Sequence, residues 1–115
     1  MDSTPRFLQG AYSFEGKGLE TPAALGPGVV YTVPADKRSQ LIYLRAGNAS
    51  AELIYLLLTR AGEPMRYFPI GAKAAIHVPL AVTEDIFPET RLELLVAAPI
   101  GVAGTVVIDI GFLEL

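Results

Sequence analysis

Glycine and proline punctuate this chain so closely that no segment shows helical periodicity over three turns without a breaker. Glycine in a helix interior costs about 1 kcal/mol relative to alanine, and proline about 3. What lies between the breakers is short, apolar and rich in Val, Ile, Leu and Tyr, the composition of strands. About eight are expected, at residues 7–15, 29–33, 40–46, 52–60, 66–70, 74–80, 91–97 and 105–115. In the first, Leu8, Gly10, Tyr12 and Phe14 share one face. Pro34 ends the second, "GNAS" turns the third, "AGEP" ends the fourth and "APIGVAG" precedes the eighth. The one serious helical competitor is "AELIYLLLTRAG", residues 51–62, where leucines favour a helix and Gly62 would cap it. It is short and lies between strands, so the strand reading is taken.

Short strands at this spacing predict an all-β fold: a single antiparallel β-sandwich of jelly-roll type. The 115 residues suit one domain. Within it, residues 1–28 are expected to form an N-terminal arm, the first strand and a long loop, "GKGLETPAALGPG", with residues 29–115 as the sandwich body.

The segment "VVYTVPADKRSQLIYLRAGN" gathers Asp36, Lys37 and Arg38 at a loop tip and leaves the following strand apolar on both sides. Strict alternation sets Leu41, Tyr43 and Arg45 against Ile42, Leu44 and Ala46. Likewise Leu53, Tyr55 and Leu57 oppose Ile54, Leu56 and Leu58, and Val106, Ile108, Ile110 and Phe112 oppose Val107, Leu113 and Leu115. In a sandwich one face of each sheet meets the core and the other is normally polar. Hydrophobic residues make up 51% of the chain, and large apolar patches are rare on monomers. A dimer or trimer is therefore expected, with Tyr43, Arg45, Leu53, Tyr55, Leu57, Val107, Asp109 and Leu113 as interface residues.

The chemistry-bearing residues are sparse. Cysteine is absent and His77 is the single histidine, so the several-histidine site of a cupin-like metal centre has no ligands. Ser3, Ser13, Ser39 and Ser50 lie in no GxSxG elbow. His77 is expected on a sheet face or at a subunit contact. "GKGLET" lacks phosphate-loop spacing and a following helix. Glu84, Asp85, Glu89 and Glu93 crowd four carboxylates together without the alternation of a calcium loop. They read as a solvated loop, with calcium the one metal left open. Asp109, inside "VVIDIGF", faces away from the core, at an edge or outward, or pairs with a cation of a neighbouring subunit. No catalytic residue, cofactor or transition metal is expected. A net charge of −3 argues against a nucleic-acid partner. Residues 94–108 are too short, and too broken by Pro99, Gly101 and Gly104, for a membrane helix. "MDSTPRFLQG" has no basic start followed by an apolar stretch, so no signal peptide is expected. The five tyrosines remain candidates for sugar stacking or protein contact.

The stretch "GVVYTVPADKRSQLIYLRAGNASAELIYLLL" resembles a pattern in small β-sandwich proteins of tailed-phage virions. Residues 30–35, 41–44 and 48–50 carry the match: an apolar strand ending in "YTVPA", a charged tip, a strand and an N-x-S turn. "IFPETRLELLVAA", residues 86–98, resembles the loop and penultimate strand of that pattern, with "PET" where "PGD" is more usual. The resemblance implies a non-enzymatic virion structural protein, made in the host cytoplasm. On that reading it is a capsid cement or decoration protein that oligomerises and clamps the major capsid protein. The alternative it implies is a receptor- or glycan-binding module of a tail or fibre.

Overall fold

The computed structural model of the chain describes residues 3–80 and 83–115. Eight strands follow in order: β1 (Thr4–Glu15), β2 (Ala23–Thr32), β3 (Ser39–Asn48), β4 (Ile54–Arg60), β5 (Glu63–Ile70), β6 (Ala75–Pro79), β7 (Arg91–Ala97) and β8 (Ala103–Glu114). They form two antiparallel four-stranded sheets, ordered β1-β8-β3-β6 and β2-β7-β4-β5. Each sheet interleaves strands from both halves of the chain, which is the jelly-roll order. Segment 51–62 is strand β4 within its interior, not a helix.

Alternation places one side chain in two between the sheets. Leu8, Tyr12 and Phe14 of β1 turn inward as expected, as do Ile54, Leu56 and Leu58 of β4 and Val106, Ile108, Ile110 and Phe112 of β8. Leu25, Leu44, Ile54, Leu56, Ile70, Ile86, Leu94, Val106 and Ile110 are fully buried. Each such side chain contributes about 1.5–3 kcal/mol on burial.

Two bulges correct the sequence reading. In β2 the register jumps between Ala24 and Val29, whose partners Leu95 and Leu94 are adjacent. Pairing resumes beyond the glycines and proline, so β2 begins at Ala23, and the expected long loop is only residues 16–22. The interruption sends Leu25 into the core. In β3 a bulge between Leu41 and Tyr43 leaves Ile42 partly exposed. Leu41 therefore joins Leu44 and Ala46 inside, while Tyr43 and Arg45 point outward. Strand β3 does not have two apolar faces; its outer face is polar and aromatic. The expected arm also differs: from Thr4 onward it pairs with β8 as an edge strand, Thr4 opposite Glu114. The remaining arm residues, Met1 and Asp2, lie outside the described residues.

Both ends of the sandwich carry a buried polar residue that ties the sheets together. At one end Glu114, 2% exposed, accepts 2.6 Å from the Tyr31 hydroxyl of the opposite sheet and 3.1 Å from Arg6 Nε. The Tyr31 ring stacks on Phe112 at 4.6 Å. At the other end Asn48 reaches across to the end of β5. Glu89, Lys73 and Ala61 hold positive φ angles in turns.

Burial and the hydrogen bond to Glu114 push the Tyr31 phenol from its ordinary 10.0 up to about 12. The fold therefore holds this proton more tightly than the unfolded chain does. That contribution is complete below pH 10 and is lost as the pH rises through 12. Denaturant titrations are expected to show stability falling across this alkaline window, and Tyr31→Phe to flatten the fall. An identical fall in Tyr31→Phe would assign it to other groups.

Candidate functional site

The outer face of sheet β1-β8-β3-β6 assembles residues that are far apart in sequence. Cross-strand register aligns Gln9 with Asp109, Asp109 with Arg45, and Arg45 with His77. One polar row thus runs across all four strands. A parallel row on one side is Phe7, Gly111, Tyr43 and Pro79, and on the other Ala11, Val107, Gly47 and Ala75. The face is therefore an aromatic row, a polar row and a row of small side chains, side by side.

Asp109 organises the polar row. Its carboxylate accepts from Gln9 Nε2 at 3.0 Å, from the Tyr43 hydroxyl at 2.9 Å, and from Arg45 Nη2. These donors, Gln9 foremost, then Arg45 and Tyr43, hold the Asp109 carboxyl below its ordinary value despite partial burial. The same contacts act oppositely on Tyr43, whose phenol is raised by burial and by the hydrogen bond to Asp109. Arg45 is raised by Asp109 in turn. The Arg45 guanidinium lies 5.3 Å from the Tyr43 ring centroid, and His77 meets that ring edge-on at 6.2 Å. Gly111 makes room for the ring: a Cβ there would overlap the tyrosine side chain. Tyr43 is thus seated on glycine backbone and tied by its hydroxyl, which fixes both its position and its tilt.

Because Gly47 and Ala75 are small, the third row sinks into a shallow groove of about 530 Å³ between β3, β6 and β8. Arg45, His77, Val107 and Asp109 rim it. A second depression of about 290 Å³ shares Gly47, Ala75 and Val107 and continues the groove to Lys73. This size matches the lower range of small-ligand sites.

Of the residues singled out from the sequence, Tyr43, Arg45, Val107 and Asp109 converge here, and Leu113 lies farther along β8. Asp109 is outward on an inner strand, and it pairs with Arg45 of its own chain. Tyr55 and Leu57 lie on the opposite outer face, where Tyr55 meets Tyr67 with ring centroids 5.6 Å apart. Leu53 precedes β4 and is 47% exposed. Leu57, though outward, is only 5% exposed, between Leu95 and Tyr67 on the flanking strands. Sequence reasoning missed Gln9 as a site residue and did not join His77 to Arg45.

The acidic segment does not form a shared site. Glu84 bridges Arg60 and Arg66, each at 2.9 Å, and the Arg60 bond leads in holding its carboxyl below the ordinary range. Asp85 accepts from Arg38 and Gln40, and Glu93 from Arg91. Among the described residues no three His, Asp or Glu side chains gather as a metal would require. The Ser39 hydroxyl is hydrogen-bonded to the Tyr31 oxygen, and Ser50 donates to Asn48, so neither is paired with His77.

The sequence matches no protein-family model and no curated protein. Among solved structures, the fold is similar to the CBM36-1 domain of a multidomain xylanase from the hindgut metagenome of Trinervitermes trinervoides. The TM-score is 0.59 at 15% identity, over 96% of each chain. It is also similar to part of the insecticidal delta-endotoxin Cry8Ea1 from Bacillus thuringiensis, with TM-score 0.52 and 11% identity over 90% of this chain but 19% of the toxin. At these identities the likeness is one of fold: a small β-sandwich.

Proposed function

We propose that the protein is a non-catalytic binding module that holds a carbohydrate chain on the outer face of sheet β1-β8-β3-β6. The observation that carries this reading is the pre-arranged face itself: a fixed aromatic ring beside a row of side-chain amide, carboxylate, guanidinium and imidazole. Sugars need both kinds of contact. Their C–H faces pack on an aromatic ring, and their hydroxyls pair with planar polar groups. Sites of this kind combine apolar surface with a few placed polar groups. Whole-length likeness to a domain named as a carbohydrate-binding module supports the same reading.

The test is a polysaccharide-binding screen of the purified chain. At least one glycan is expected to bind, and Tyr43→Ala to abolish that binding. Tyr67→Ala, on the opposite face, is expected to leave it intact. Binding that follows Tyr67 instead of Tyr43 would move the site to the other sheet.

A second reading rests on a different surface. Tyr55, Leu57, Tyr67, Pro69 and Leu95 make the outer face of sheet β2-β7-β4-β5 largely apolar, and Tyr67 is 59% exposed. Such a face fits the self-associating virion protein that the tailed-phage resemblance implies, seated on a major capsid protein. Obligate interfaces of that type bury on the order of 2,000 Å² or more. Light scattering at micromolar concentration is expected to give a dimer or trimer on this reading; a monomer removes its physical basis.

A further inference from the structure

We infer that the groove beside the polar row selects an acidic glycan, taking the carboxylate of a uronic-acid residue. This rests on the carbohydrate-binding reading of the same face and narrows it to one substrate class.

The argument is one of charge left over. The chain as a whole is acidic, with a net charge of −3. The groove is not. Its lining brings together the cations Arg45 and Lys73 against a single acid, Asp109, with the His77 ring beside them. That acid is already engaged by three donors from Gln9, Tyr43 and Arg45. Arg45 spends one amino group, Nη2, on Asp109, and its side chain stays 55% exposed. With more than half of the side chain exposed, the guanidinium keeps N–H donors beyond the one used on Asp109. A guanidinium fork matches a carboxylate in geometry as well as charge.

Lys73 marks the far end of the same groove. It makes no ion pair among the described residues. It sits in a tight turn with φ +55°, held by hydrogen bonds from Lys73 N to Ser50 O and from Ala74 N to Gly71 O. A lysine in the left-handed region is uncommon, and the fold keeps one at the groove mouth. Between the two cations the floor is Gly47 and Ala75, where bulkier side chains would fill the space a sugar ring needs. A polymer bearing one carboxylate per sugar presents charge at intervals and can meet a cation at each end.

Calorimetric titration with polygalacturonate, with its full methyl ester and with neutral galactan tests this directly. The first and second differ only at the carboxyl, where the ester removes the charge and adds a methyl group. Polygalacturonate is expected to bind about tenfold or more tightly than the ester, as a charge-assisted contact would give. Added salt should narrow that gap. Lys73→Asn, which keeps a residue tolerant of the left-handed turn, and Arg45→Gln should each shrink the preference while leaving the melting temperature unchanged. Equal affinity for acid and ester overturns the inference and leaves the carbohydrate-binding reading standing. Dextran sulfate bound as tightly as polygalacturonate overturns the choice of carboxylate over anionic groups in general. If no glycan binds, charged or neutral, both readings fall together.

Discussion

Replacing Asn48 by leucine is expected to lower the unfolding free energy by about 3–5 kcal/mol, because one small amide holds together several buried backbone groups. Its Nδ2 donates to Glu52 O at 2.8 Å, Gly71 O at 3.1 Å and Ile70 O at 3.2 Å. Its Oδ1 accepts from Ser50 N at 2.9 Å and from Ser50 Oγ at 2.8 Å. The residue is 2% exposed, so water cannot replace what leucine removes. Leucine has the same branched shape and number of side-chain heavy atoms and opens no cavity; the loss is therefore chiefly one of hydrogen bonding. Asn48→Asp is the companion experiment. It points a carboxylate at backbone carbonyls, and its defect should ease as the pH falls and the group takes up a proton. Urea melts of both variants give the answer. A loss below about 1 kcal/mol in Asn48→Leu would show that the loop repacks and that the amide is not the tie between sheets.

Most of the fold was legible in the sequence. All eight strands overlap the segments expected from the sequence, and β7 matches its expected limits, 91–97. The inward sets of β1, β4 and β8 follow from strict alternation. Alternation failed at the two bulges, for a physical reason. A bulge is a property of two paired strands: the extra residue exists only relative to a partner that lacks it. Nothing local to "QLIYLRA" says that Ile42 will be skipped, yet that one residue decides whether Tyr43 shares a face with Leu41. The same skip overturned the expectation of a strand apolar on both sides. It leaves the outer side of β3 polar and aromatic where an apolar one was expected.

The site was less legible than the fold because it is made by register. Gln9 and Asp109 are 100 residues apart in sequence, and Asp109 and Arg45 are 64 apart. Composition named Tyr43, Arg45 and Asp109 individually, as outward residues on apolar strands. Their assembly into one row depends on β1, β8, β3 and β6 being neighbours, which is the jelly-roll order itself. The topology places the first and last strands side by side and so brings Gln9 opposite Asp109 of β8, one strand away from Arg45 of β3. The Gly111 seat for Tyr43 is likewise invisible until β8 and β3 are aligned.

Removing the Asp109 carboxylate is expected to weaken glycan binding about 10- to 100-fold while costing the fold about 1 kcal/mol or less. The asymmetry follows from where the residue sits. Asp109 is partly solvated and its ion pair with Arg45 lies on an open sheet face, where such pairs contribute little to stability. Its value is in arrangement. Without it Gln9 loses its acceptor, the Tyr43 ring loses the tether at its hydroxyl, and the Arg45 side chain is free to sweep through solvent. A ligand must then order three side chains on binding instead of finding them in place, a cost of about 0.5–1.5 kcal/mol each. The direction with pH is fixed by the same contacts. Since the carboxyl is held below its ordinary 3.8, the row stays intact at neutral and mildly acidic pH and comes apart only as the pH falls through that lowered value. Near-ultraviolet circular dichroism of the tyrosines should therefore change in acid for the native chain. It should already be changed at neutral pH in Asp109→Ala. Asp109→Ala that binds glycan as tightly as the native chain would remove the polar row from the site and leave Tyr43 acting alone.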